Sequence, residues 1–150
     1  MKYAIALSLL AATAVHAAPE NMNFRRSQSV QIRNFASNVS ATISMADLQL
    51  SLFDPNRRIY TDCSVAWNTD RHIPPSPEGS CTNNEYQISF PDGIDDVQKF
   101  TLKVATVDGA ESGQAVIDST VAGSDWVCKS NPWNGVKEGC EWVGVLNIAV

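Results

Sequence analysis

The stretch ISMADLQLSLFDPNRRIYTDCSVAW, residues 43–67, decides the fold class. In its first half Leu48, Leu50 and Leu52 alternate with Asp47, Gln49 and Ser51. A period of two places one set of side chains on each face of a half-buried strand. Asp54-Pro55-Asn56 supplies a turn, because Pro presets one backbone angle and Asp and Asn bond their own backbone. Beyond it Arg57–Trp67 reads as the return strand, with Ile59 and Tyr60 leading into Cys63, Val65 and Trp67. The unit is a β-hairpin, and the rest of the chain repeats its signature.

Upstream, Ser29–Phe35 carries Val30, Ile32 and Phe35 in imperfect alternation, as a first strand. Downstream, Tyr86, Ile88 and Phe90 alternate with polar residues, Pro91-Asp92-Gly93 turns the chain, and Phe100, Leu102 and Val104 line one face of the next strand. Gln114–Val121 and Asp125–Cys128 follow as short strands. Glu141–Val150 is apolar nearly throughout, which reads as a strand with both faces covered. Asn68–Asn84, rich in Pro and polar residues, and Lys129–Gly139 read as loops. No segment has a convincing helical period. Seven or eight short strands separated by turns predict an all-β fold, a single antiparallel barrel or sandwich.

Residues 1–17 have the form of a signal peptide: Lys2, an apolar run from Ala4 to Val15, and a small-x-small site at Val15-His16-Ala17. The run is too short to span a bilayer. The expected organisation is a signal over residues 1–17, a flexible segment over 18–29 with a possible pro-segment cut after Arg26, and a β-domain over 30–150. The product is expected outside the cell, with no membrane insertion. A formal charge of −5 argues against nucleic acid as a partner, whose backbone demands a basic face.

The four cysteines, Cys63, Cys81, Cys128 and Cys140, all lie beyond the signal. An even count in a secreted chain reads as a disulfide framework. Of the three possible pairings, the sequential one fits best, because each pair brackets a loop between strands. Zinc is not expected, since no pair has the two- to four-residue spacing of a zinc site.

Removal of the signal takes His16 with it and leaves His72 as the single histidine. His72 sits in the Pro-rich loop beside Arg71 with no nucleophile signature nearby, so Ser-His-Asp catalysis is not expected. No carboxylate pair is marked by sequence for glycosidase work. Asp92-Gly93-Ile94-Asp95-Asp96 lacks the ligand spacing of a calcium loop. The chain therefore reads as a non-enzyme with no metal and no cofactor.

Asn38-Val39-Ser40 is a glycosylation sequon. Of the four tryptophans, Trp67 and Trp142 read as core and Trp126 as packing on the nearby bridge. Trp133 lies on a polar, cysteine-bounded loop, either as a recognition anchor or folded back over the barrel end.

Several segments, in order, resemble a known family. They are DCS at Asp62–Ser64, SCTNNEYQISF at Ser80–Phe90, FTLKV at Phe100–Val104, Val127-Cys128, and GVKEGCEWVGVLNIAV at Gly135–Val150. In these the chain is similar to the small secreted fungal proteins that share the β-barrel of the Alternaria major allergen. The resemblance implies one antiparallel barrel with intrachain bridges Cys63–Cys81 and Cys128–Cys140. It also implies an effector or elicitor that binds a host plant protein, with thaumatin-like defence proteins as a candidate class. Arg71, His72, Trp133 and Lys137, on the two loops, are the expected contact residues. The alternative it carries is an extracellular carrier of a small hydrophobic, flavonoid-like ligand. No fifth cysteine matches the one that links the allergen's dimer, so no covalent dimer is expected.

Overall fold

A computed structural model describes residues 29–70 and 78–150. Residues 1–28, which include the expected signal and pro-segment, and residues 71–77 lie outside the described residues. The described residues form ten strands: β1 (Ser29–Ser40), β2 (Met45–Asp54), β3 (Ile59–Asn68), β4 (Glu78–Cys81), β5 (Tyr86–Ser89), β6 (Lys99–Thr106), β7 (Ser112–Asp118), β8 (Trp126–Ser130), β9 (Val136–Trp142) and β10 (Leu146–Ala149). All pair antiparallel in one sheet of order β7-β6-β5-β4-β3-β2-β1-β9-β8, with β10 also on β1. The all-β expectation holds, and so does the opening hairpin: Leu48, Leu50, Leu52, Cys63, Val65 and Trp67 all point into the core.

The imperfect alternation of the first strand has a structural cause. The ladder between β1 and β2 shifts register between Arg33 and Ala36, a β-bulge, with Asn34 at φ 48°. A bulge inserts one extra residue and bends the strand. Val30 and Ile32 face inward before it, and Phe35 and Ser37 after it. The bend also divides the work of β1. Residues 29–32 pair with β10, whereas residues 36–40 pair with β9.

Closure follows from that division. A Cβ added to Gly113 on β7 would fall only 1.8 Å from the Ala149 carbonyl oxygen of β10. Only glycine admits that approach, which brings the two ends of the sheet together into a nearly closed barrel. The β8–β9 branch is tied down separately. Trp126 Nε1 donates to the Val97 carbonyl at 2.9 Å, and Gln98 Nε2 donates to Glu138 Oε1 at 2.6 Å.

Apolar side chains fill the barrel interior. Trp126, 1 % exposed, lies against Phe35 with ring centroids 4.6 Å apart, and Phe100 meets Phe35, Phe90 and Trp126 edge-on at 6.2, 5.7 and 5.9 Å. Trp126 thus belongs to the core, the same cluster that holds Cys140 and has Cys128 packed against it. Trp67 is buried as expected, and Trp142 packs against the core from its margin.

Three other expectations are revised. The end of the Pro-rich segment forms β4, placed between β3 and β5. The region 129–139 is a hairpin in which only residues 131–135 leave the strands. The C-terminal apolar run breaks at Gly144, φ 94°, leaving Val143 and Val145 exposed, so it is two strands and a turn. Among the described residues, no helix is long and apolar enough to cross a membrane.

One buried polar group secures the β2–β3 turn. Asp54 is fully buried; its Oδ1 accepts from the amides of Asn56 and Arg57 at 2.7 and 3.3 Å, and its Oδ2 accepts from the Tyr86 hydroxyl at 2.6 Å. Arg57 stands 3.9 Å from Asp54, 3.8 Å from Asp108 and 3.8 Å from Glu111. Burial pushes the Tyr86 phenol well above its ordinary value of 10.0, and its bond to Asp54 and that carboxylate's charge push it further. The folded state therefore holds the neutral phenol while the unfolded chain ionises near pH 10. The stabilisation is complete below about pH 10 and is lost as pH rises above it, by up to about 1.4 kcal/mol per pH unit. Urea midpoints from pH 7 to 11 check this. Tyr86→Phe should be about 1 kcal/mol less stable at pH 7, and its decline above pH 10 should be shallower than that of the natural chain.

Candidate functional site

Both disulfides form as the sequence and the resemblance anticipate, Cys63–Cys81 and Cys128–Cys140, with Cα–Cα distances of 4.0 Å in each. Each joins residues directly opposite one another on neighbouring strands, Cys63 with Cys81 and Cys128 with Cys140. They fasten ladders rather than loop mouths. Bridges of this kind place the folded chain in an oxidising environment.

The second bridge fixes the register of a surface patch. On the outer face of β2-β1-β9-β8 run two parallel rows, Asp47, Asn38, Gly139, Lys129 and Gln49, Ala36, Glu141, Val127. The hairpin loop after Lys129 folds its Pro132 and Trp133 toward these rows. Gly139 makes this possible. A Cβ there would lie 3.0 Å from Pro132 Cγ, 3.4 Å from Asn38 Oδ1 and 3.7 Å from Trp133 Cη2. Three side chains therefore gather around a bare stretch of backbone.

The result is a groove of about 250 Å³ lined by Asn38, Gln49, Val127, Lys129, Trp133 and Glu141, among others. Trp133 is 60 % exposed, so the indole rests on the sheet by one edge and presents the rest to solvent. Lys129 Nζ and Glu141 Oε1 stand 3.8 Å apart, both largely exposed. Such a surface pair adds little stability and leaves both groups available to a ligand.

A larger concavity, about 660 Å³, lies over β1–β4 and includes Asn34, Ser51, Asp62, Ser64, Ser80 and Asn84. Its polar groups bond one another: Ser51 Oγ donates to Asp62 Oδ1 at 2.7 Å, and Asn34 Nδ2 to Ser51 Oγ at 3.3 Å. None of its described lining residues is aromatic, whereas the smaller groove presents Trp133. Cys128, Glu138 and Cys140 bring metal-ligand atoms within 4.8 Å of one another, but both sulfurs are committed to the disulfide and Glu138 accepts from Gln98. Metals bind the thiolate, so this cluster is not a metal site in the oxidised chain.

Of the residues marked in sequence, the structure brings Asn38 and Trp133 to one groove. Asn38 is on a strand, not on a loop. Lys137 is exposed on β9, on the face of Gly139 and Glu141, and its carbonyl accepts from the Asn131 amide at 2.8 Å. It extends the patch without lining the groove. Arg71 and His72 lie outside the described residues. Gly139, Gln49 and Val127 were not marked. The signal for Gly139 and Val127 is the register set by Cys128 opposite Cys140, from which both follow by counting.

No family model matches the chain, and no curated protein or solved structure matches it.

Proposed function

We propose that this protein is a secreted, non-catalytic effector or elicitor that engages a host plant protein through the face centred on Trp133. The observation that carries the proposal is a large indole, 60 % exposed, on a hairpin that a disulfide braces. Interfaces draw most of their affinity from a few aromatic or arginine anchors. An anchor held in place beforehand loses less freedom on binding. Lys129, Lys137 and Glu141 give the surrounding surface charge of both signs, suited to fixing orientation.

The segments that resemble the Alternaria major-allergen proteins support a fungal source and a plant partner, with thaumatin-like defence proteins the first class to test. The non-catalytic part of the proposal draws support from the Asp54–Tyr86 pair, which is buried and already engaged with the turn it stabilises. The ligand-carrier alternative is less favoured, because Phe35, Phe90, Phe100 and Trp126 occupy the barrel interior. A flavonoid-like molecule would have to displace them or lie outside.

Trp133→Ala tests the proposal. The expected result is a loss of binding to a thaumatin-like protein by about 2 kcal/mol, roughly thirtyfold, read by calorimetry. Loss of the defence response in infiltrated leaves should accompany it. The melting temperature should stay near that of the natural chain, because Trp133 is no part of the core. Equal binding and equal response from the variant would overturn the proposal.

A further inference from the structure

We propose that the groove beside Trp133 is the seat of a sugar carried by the protein itself, the first N-acetylglucosamine of a glycan on Asn38. The sequon Asn38-Val39-Ser40 lies on β1, and the Asn38 side chain opens into the groove. Asn38 Nδ2 is the atom that a glycan joins. Its contact with Asp47 Oδ2 is long, 3.5 Å, and exposed. An amide nitrogen carries two hydrogens, so one can be replaced by the sugar while the other keeps this bond.

The transfer is the ordinary one of the secretory route. The amide nitrogen attacks the anomeric carbon of a lipid-linked oligosaccharide, a C–N bond forms, the lipid pyrophosphate leaves, and the amide gives up one proton. It must precede folding. In the folded chain Ser40 Oγ accepts from the amides of Thr42 and Ile43 at 3.2 Å each, and Asn38 is paired on both sides. The transferring enzyme can read the Ser40 hydroxyl only while the strand is still open.

Asn38 Nδ2 faces Asp47, whereas Asn38 Oδ1 and the Trp133 ring edge approach the same bare Gly139 backbone. A trans amide holds the N-linked carbon on its oxygen side, which directs the attached ring toward the indole. One side of a pyranose is a row of C–H bonds, which matches the electron-rich face of an aromatic ring. The opposite edge carries hydroxyl and N-acetyl groups, and Gln49, Lys129 and Glu141 supply donors and acceptors for them. A volume of about 250 Å³ falls below the range of drug-sized pockets and suits a single ring.

The glycan and the plant partner then compete for one side chain, since a sugar seated on the indole screens the anchor. The test needs no partner, so its failure leaves the preceding proposal standing. The natural chain is secreted from a fungal host, and its occupancy at Asn38 is read by peptide mass. An endoglycosidase then trims the glycan to a single N-acetylglucosamine. Acrylamide quenching of tryptophan fluorescence is compared with that of Asn38→Gln, with Trp133→Phe variants of both marking the contribution of Trp133. Trp67 and Trp126 are buried and Trp142 is partly so, and the Trp133→Phe variants separate its background from the signal of Trp133. The trimmed form should be quenched at least threefold less at Trp133 than the Asn38→Gln protein. An unmodified Asn38, or equal quenching of the two forms, overturns the proposal.

Discussion

Replacing all four cysteines by serine is expected to lower stability by about 6 kcal/mol, which is the whole margin of many small domains. The bridges span 18 and 12 residues, and loop-closure entropy assigns each about 3 kcal/mol. Their positions in the sheet explain why both are needed. β4 pairs with β3 at only two positions, Cys63 with Cys81 and Ser64 with Ser80, so on that side the bridge carries much of the hold, the other side being the ladder with β5. Among the described residues β8 pairs with β9 alone, and the second bridge lies at the centre of that ladder. Urea unfolding of the natural chain, of Cys63→Ser/Cys81→Ser, of Cys128→Ser/Cys140→Ser and of the fourfold variant separates the contributions. The two pairs are on different strands, so their losses should add. A fourfold variant within 2 kcal/mol of the natural chain would show that the ladders stand without their staples.

How far the fold could be read depended on how local its causes are. The hairpin of β2 and β3 was legible because each face sees a uniform environment, and alternation of Leu48, Leu50 and Leu52 records it directly. β1 was half legible. Its bulge shifts the phase at Arg33, and a shifted phase looks like noise until the register is seen. β4 was missed because Glu78, Gly79 and Ser80 carry no apolar signal; Gly79 is there because a Cβ would meet Ile88 at 2.4 Å. The run from Glu141 to Val150 misled in the opposite sense. Val143 and Val145 are apolar yet exposed at a turn, and hydrophobicity alone does not separate a covered strand from a bare turn. The site divides the same way. Trp133 was visible as an aromatic in a polar, cysteine-bounded loop. Its neighbour Asn38 was visible only as a sequon, because their proximity depends on β1 pairing with β9 from the other end of the chain.

Trp126→Ala is expected to destabilise the protein by about 3–5 kcal/mol, the usual range for deleting a large buried aromatic. The site cannot collapse easily, since its walls are Phe35 and Phe100, themselves fixed on β1 and β6. The loss has two parts that a second variant separates. Trp126→Phe keeps a ring in the core and removes the donor to the Val97 carbonyl, for a cost of about 1–2 kcal/mol. The remainder belongs to packing. Trp126 is also the largest side chain that the β8–β9 branch places in the core, beside the smaller Cys140. In the alanine variant the branch retains its ladder with β1 but loses that anchorage, so amides of β8 should exchange with solvent faster than those of β2 and β3. Hydrogen exchange on the two variants reads this directly. Protection of β8 unchanged in Trp126→Ala would mean that the disulfide and the ladder alone hold the hairpin, and that the face bearing Trp133 does not depend on the core beneath it.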